Sequence, residues 1–382
     1  MYDDDKQAPA FIASNFTVPD FVPPWWTRNP HLQTIAGALW GRAPPRFRYT
    51  HRARLHTPDG DWFAVDCAVH GTDASVSTHS IQETDGLPTT SSERPLAIIL
   101  HGLESSARGL QSLRLADLFH CTLGADVYAL NFRGCSGEPN ATPKSYHLGE
   151  TSDLRLLIEQ LRHGVAASER ENFTRPLFLS GFSLGGNVIC KYLGESVEHA
   201  QRYGVTSAAV YCVPFDALAS QPILDSGLIR RYIYSRRFVK SIQRKLKRRQ
   251  LPGPLPYDLQ RVMQATTIGE IDDAYIAPTY GFKDRFDYYR KSSCGQYLDD
   301  VRTPLLIINA RDDPFMAPAS LPDPSSVRNP FVCLAYTSYG GHCGFFRDIN
   351  PEQGEFWICE QFGRFFQQFL EHAPGDVAVR AT

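Results

Sequence analysis

No apolar run in this 382-residue chain approaches the ~18 residues that a membrane-spanning helix needs. Charge of neither sign is in excess. There are 39 Lys and Arg against 41 Asp and Glu, a formal net charge of -2, so the molecule as a whole is not drawn to nucleic acid. The nine cysteines, an odd number, stand singly from Cys67 to Cys359 without a CxxC pair, which points to reduced thiols rather than a disulfide framework. There is no histidine pair at ligand spacing, no cysteine cluster along the chain, no P-loop and no dinucleotide fingerprint, so no metal or nucleotide cofactor is expected. The first residues, MYDDDKQAPAF, are acidic and lack the basic-then-apolar order of a secretory signal. No internal repeat is found. The expected location is the cytoplasm.

What is present is a chain 42% hydrophobic and 12% aromatic, enough for a sizeable core. Residues 1–50, rich in Pro and aromatics as in FVPPWWTRNPHLQT, read as an arm laid over the body. RARLHTPDGDWFAVDCAVH (52–70) reads as two strands joined by a turn at Pro58-Asp59-Gly60. The stretch 71–94, polar and without periodicity, reads as a flexible solvated loop. From Leu96 onward short apolar runs alternate with helical patterns: LAIILHG, ADVYALNF, LFLSGFS, SAAVYCVPF, PLLIINARDD and FVCLAYTSYGGH. TSDLRLLIEQLRHG (151–164) opens with Thr151 as a helix N-cap, and a Phe-rich helix closes the pattern at about 351–372. Buried strands alternating with helices predict an α/β fold, a mostly parallel sheet covered on both faces.

Within LSGFSLGGN, Gly181-Phe182-Ser183-Leu184-Gly185 fits G-x-S-x-G between a strand and a helix. A turn that tight strains the serine and leaves no room for a Cβ on either side. It also lifts the hydroxyl to the sheet edge and aims the helix N-terminus at whatever binds there. A serine hydroxyl needs a base, and in this arrangement the acid and then the histidine follow it in the chain. Of twelve histidines only His199, His342 and His372 follow Ser183; the first and last read as exposed helix residues, and His342, in YGGHCGFF past a strand end, is the expected base. The acid is expected at the end of PLLIINARDD. Asp313 is preferred because it precedes the turn at Pro314; Asp312, pointing the opposite way, is the alternative acid or a partner of the loop backbone. An oxyanion would be met by the N–H groups of Leu184 and Leu103, with Gly102 giving access. His101 is read as positioning that loop, with a second base as the alternative.

These residues, together with PPWWTRNPHLQTI, LHGLESS, NFRGCSGEPN, YHLGETSDL, DYYRKSS and INARDDPF, make the chain resemble the YheT-like branch of the α/β-hydrolase fold superfamily from about 20 to 370. The resemblance implies a Ser–Asp–His serine hydrolase on Ser183, Asp313 and His342. It would act on short- to medium-chain acyl esters or monoacylglycerol-type lipids through an acyl-enzyme. Relatives in this branch are described as carboxylesterases, monoacylglycerol lipases, phospholipases and medium-chain ester-forming acyltransferases. An acyltransferase with an alcohol acceptor, and a non-catalytic lipid-binding protein of the same fold, are the alternatives. The resemblance also implies the domain plan: an N-terminal arm (1–50), a core (51–215 and 300–372, with the flexible loop 71–94), a cap or lid inserted at 216–299, and a tail (373–382). The cap contains ten Arg or Lys from Arg230 to Arg249 and no acidic residue between Ser226 and Pro256. Ile229, Ile233, Val239, Ile242 and Leu246 recur there at helical spacing, which reads as a helix packed on the core or as one that touches anionic lipid or an acyl-CoA phosphate. Trp25 and Trp26 read as core, with pocket lining as the alternative.

Overall fold

The central strands form where the sequence is apolar at successive positions, because a strand covered on both faces has no solvent side to make polar. In a computed structural model of the chain, which describes residues 10, 12–39, 44, 46–71, 81–88, 93–163, 175–249, 251, 253–347 and 356–371, nine strands make one sheet: β1 (His51–His56), β2 (Trp62–Ala68), β3 (Gln82–Asp85), β4 (Leu96–Leu100), β5 (Asp126–Asn131), β6 (Leu177–Phe182), β7 (Val205–Tyr211), β8 (Leu305–Ala310) and β9 (Val332–Thr337). Their order is β3-β1-β2-β5-β4-β6-β7-β8-β9. From β5 to β9 every pairing is parallel, while β2 runs antiparallel to both β1 and β5. Strands β4, β5, β6 and β8 are buried at every position, whereas the edge strand β9 is half-exposed through its middle. The turn at Pro58-Asp59-Gly60 closes the β1–β2 hairpin through Gly60 N–H to Thr57 O.

Helices cover both faces. Helix α1 (Pro30–Leu39) lies in the arm, α2 (Leu110–Asp117) follows β4, α3 (Ser152–Leu161) follows β5, and α4 (Leu184–Glu195) follows β6. Between β7 and β8 stand α5 (Ala217–Leu224), α6 (Arg236–Arg248) and α7 (Arg285–Ser292), with shorter turns, and α8 (Trp357–Glu371) ends the described chain. On one face Leu154, Leu157, Ile158, Val188 and Ile189 pack with Val239, Leu246, Ile271 and Tyr289 from the segment between β7 and β8. On the other, Leu115 and Phe119 pack with Phe362, Phe365, Phe366 and Phe369 of α8.

Two expectations are corrected. The polar stretch 71–94 is not loop throughout, because Gln82–Asp85 adds the parallel edge strand β3 beside β1. Its pattern was illegible because an edge strand exposed on both faces needs no apolar residues; 72–80 and 89–92 lie outside the described residues. Thr151 stands at the N-cap of α3, but its hydroxyl donates to Glu195 Oε1 and makes no capping bond. The tail 373–382 lies outside the described residues.

Candidate active site

Every candidate residue sits at the carboxyl edge of the parallel strands, where open α/β sheets present their loops. Ser183 follows β6 and precedes α4 with φ 53° and ψ −125°, the strained backbone that a strand-to-helix turn imposes. The flanking glycines have the steric reason the motif implied. A Cβ on Gly185 would stand 2.4 Å from Leu100 O and 2.5 Å from His101 O, and one on Gly181 would stand 2.9 Å from Leu100 O. Both obstacles are backbone carbonyls and cannot swing aside.

The loop after β9 carries His342 to the serine, with Nε2 2.9 Å from Ser183 Oγ. On the far side of the ring, Nδ1 lies 2.7 Å from Asp313 Oδ2, and the other carboxylate oxygen accepts the N–H of Phe315 at 2.8 Å. A carboxylate can only accept, so Nδ1 carries the proton and Nε2 offers its lone pair to the hydroxyl. Burial by itself depresses the imidazole's pKa. The Asp313 carboxylate, joined by Cys343, more than reverses this and holds it above the ordinary 6.5. Phe315 lies flat on the imidazole at 4.0 Å and 13°. Asp312 points elsewhere: its Oδ1 accepts the Gly341 N–H at 2.9 Å, and burial, ahead of every other influence, pushes its carboxyl up to about 6.

Leu184 opens α4, so its N–H has no acceptor in a preceding helical turn. Leu103 precedes Glu104, whose own N–H is taken by the Tyr146 hydroxyl at 2.8 Å. Both leucines line the same cavity as Ser183 and His342. Gly102 gives access, since a Cβ there would lie 3.1 Å from Ser183 Cβ. His101 is buried, with Nδ1 donating to Gly102 O and Nε2 accepting the Phe132 N–H. Both ring nitrogens are committed to holding the loop. His199 is half-buried between the Tyr192 hydroxyl and Glu159, not exposed as expected, and His372 lies outside the described residues.

The cavity in front of Ser183 has a volume of about 570 Å³, within the range of small-molecule sites. Its walls include Ile35, Ala38, Leu224, Phe238 and Met316. Polar groups enter at Asp272, which accepts the Tyr289 hydroxyl, and at Arg237 and Arg244 of α6. Burial raises the Asp272 carboxyl to about 7.

The arm contributes more than covering, and this the sequence did not reveal. Thr34 Oγ1 accepts the N–H of His342 at 2.9 Å, and Gln33 clamps Phe346 twice, through its side-chain amide to Phe346 O and from Phe346 N–H to Oε1. Helix α1 comes so near the loop that a Cβ on Gly37 would meet Gly344 Cα at 2.7 Å. The polar Gln-Thr pair inside an apolar helix was the available signal. Trp25 is 81% exposed and Trp26 packs edge-on to Phe346, so neither lines the cavity. In the basic stretch, Val239 and Leu246 are buried but Ile229 and Ile233 are not, because the chain makes a π-turn over Arg230–Ser235 and rotates them outward.

One grouping is invisible along the chain. Cys212, just past β7, and Cys343, beside His342, meet at the site: one ligand atom each from Cys212, His342 and Cys343 lies within 4.8 Å of the others.

Residues 95–345 match the family profile described as alpha/beta hydrolase fold. Over 357 residues the chain is 31% identical to the candidate esterase YheT of Escherichia coli (strain K12), covering 92% of this chain and 94% of that protein. The chain belongs to the α/β-hydrolase fold superfamily, in its YheT-like branch. Other α/β-hydrolase relatives are the phospholipase ABHD3 of Mus musculus, 27% identical over 92% of this chain and 78% of its own length, and the monoacylglycerol lipase of Saccharomyces cerevisiae, 29% identical over 72% and 60%. No described helix of this α/β-hydrolase is long and apolar enough to cross a membrane.

Proposed function

We propose that the protein is a serine hydrolase of carboxylic esters, acting on short- to medium-chain acyl esters or monoacylglycerol-type lipids through an acyl-enzyme. The observation that carries this reading is the unbroken series from Ser183 Oγ to His342 Nε2 (2.9 Å) and from Nδ1 to Asp313 (2.7 Å), placed at the floor of an apolar cavity. In the forward step the serine oxygen attacks the ester carbon while its proton passes to Nε2. The N–H groups of Leu184 and Leu103 receive the charge that develops on the carbonyl oxygen. The imidazolium, held by Asp313, then protonates the departing alcohol, and water attacks the acyl-serine by the same route reversed. Relatives named esterase, phospholipase and monoacylglycerol lipase support the ester class. Residues 216–299 act as the lid that shapes the acyl pocket, since Leu224, Ile233 and Phe238 wall it.

The lid also suggests where substrate comes from. Leu228 (78% exposed), Tyr232 and Ile233 stand out into solvent among Arg230, Arg231, Arg236 and Lys240, and Ile233 is at the same time part of the cavity wall. An apolar tip ringed by cations suits an anionic lipid surface, so the lid meets membrane peripherally and feeds the cavity.

The test is a Ser183→Ala variant assayed with p-nitrophenyl acyl esters of increasing chain length, beside fluorophosphonate labelling of the unaltered protein. Turnover is expected to vanish in the variant and the label to map to Ser183. Turnover that survives the substitution sinks the assignment.

A further inference from the structure

We propose that Cys212, Cys343 and His342 form a binding site for a thiophilic divalent cation of the Zn²⁺ or Cd²⁺ type, and that an ion bound there switches the serine site off. The inhibitory half rests on the hydrolase reading above; the binding half does not.

The donor set is of the right kind. Two thiols and an imidazole are the soft and borderline ligands that select zinc-group ions over calcium or magnesium. They come from separate parts of the chain, and the fold presses them together: Cys343 N–H donates to Cys212 Sγ at 3.1 Å. Each of the three ligand atoms is within 4.8 Å of the others. A tetrahedral ion with bonds of about 2.3 Å to sulfur and 2.0 Å to nitrogen sets its donors roughly 3.5–3.8 Å apart. A contraction on the order of 1 Å therefore completes the site, which is within the reach of side-chain rotation.

The backbone beneath both thiols is specialised. Cys212 has φ 54° and Cys343 has φ 57°, left-handed values that non-glycine residues rarely adopt and that gather at functional sites. The site also has an entrance. Cys343 and His342 line the 570 Å³ cavity, whereas Cys212 lies behind them, fully buried. An ion arriving through the cavity meets Cys343 and the imidazole first, and Cys212 closes on it from below. Binding converts two thiols to thiolates and releases two protons to solvent, with no change of oxidation state.

Occupancy is incompatible with turnover whichever ring nitrogen the ion takes. On Nε2 it removes the lone pair that accepts the Ser183 proton. On Nδ1 it displaces Asp313 and with it the tautomer that directs Nε2 to the serine.

The experiment titrates the purified, reduced full chain with CdCl₂, followed by the ultraviolet thiolate-to-cadmium charge-transfer band, and with ZnCl₂ by calorimetry; ester turnover is read in parallel and again after EDTA. One ion per chain, a thiolate band, and inhibition that follows occupancy and reverses with chelator are expected. Cys212→Ser and Cys343→Ser should each weaken binding by at least about ten-fold, and His342→Ala should weaken it in the calorimeter, where no turnover is needed. Serine at 212 keeps an acceptor for the Cys343 N–H, so that variant should retain its metal-free turnover. Absence of the band, or unchanged affinity in the double cysteine variant, overturns the site. A full band with undiminished turnover overturns the switch. A chain with no ester turnover at all would count against the hydrolase reading alone and leave the binding result standing.

Discussion

Ser183, His342 and Asp313 touch in series, so a change at the carboxylate is read at the ring. Burial lowers the imidazole pKa and Asp313, joined by Cys343, raises it above 6.5. In the proposed mechanism His342 accepts the serine proton only when neutral, so kcat/KM should climb with pH through a midpoint above 6.5, displaced upward from the unperturbed histidine. Asp313→Asn removes the larger of the two raising influences, leaving burial opposed only by Cys343, so the midpoint should move down. The same change also frees the wrong tautomer, with a fall in kcat on the order of 10⁴-fold. Asp312→Asn should leave the midpoint in place and activity within about ten-fold, because that carboxylate meets the Gly341 N–H and not the ring. Steady-state profiles from pH 5 to 10 on the three proteins check this, and equal losses in the two variants would contradict it. Asp313 and Asp312 were both legible as candidates in ARDDPF. Which of two neighbours faces the histidine follows from side-chain direction at a strand end, and the chain sequence carries that only weakly.

At the scale of elements, the His342 loop is held from outside by helix α1, which precedes the sheet in the chain. Helix α1 holds the His342 loop through Thr34 and Gln33, and the glycines at 37 and 344 let the two backbones approach. Gln33 is fully buried, so Gln33→Leu leaves the N–H and C=O of Phe346 without partners, at about 1–3 kcal/mol for each group. Denaturant unfolding should show that loss. Because Gln33 does not line the cavity, kcat should fall by roughly ten- to a hundred-fold from misplacement of the ring, while KM and the pH midpoint stay nearly fixed. A shift confined to KM would mean that the arm binds substrate instead. Sequence reading recognised the arm and the loop as separate stretches. Their contact spans more than three hundred residues of chain, a separation at which local periodicity carries no information.

For the whole molecule, the balanced net charge of -2 conceals a polarised surface. The positive groups of 230–248 gather on the segment between β7 and β8, the proposed lid; Lys245 among them is tied to Glu104. The protein should therefore sediment with vesicles containing anionic lipid and not with neutral ones. Retention should fall steeply as ionic strength rises and the Debye length contracts from about 10 Å at 0.1 M to 3 Å at 1 M. Replacing Leu228 and Tyr232 by Ser should weaken sedimentation and spare turnover of soluble esters. Loss of both together would place those residues in the cavity wall instead.

The sequence by itself determined the alternation of strands and helices, the strained serine turn with its glycines, and the short list holding His342 and Asp313. Each of these is written locally, in period, in the absence of a Cβ, or in the order of residues along the chain. Only the folded chain shows that Gln82–Asp85 joins the sheet, that α1 clamps the histidine loop and that two solitary cysteines gather beside His342, and it sets Asp313, the neighbour already preferred over Asp312, against the imidazole. Those are relations between surfaces brought together by burying apolar area, and burial constrains which residues turn inward without stating which distant partner each will find.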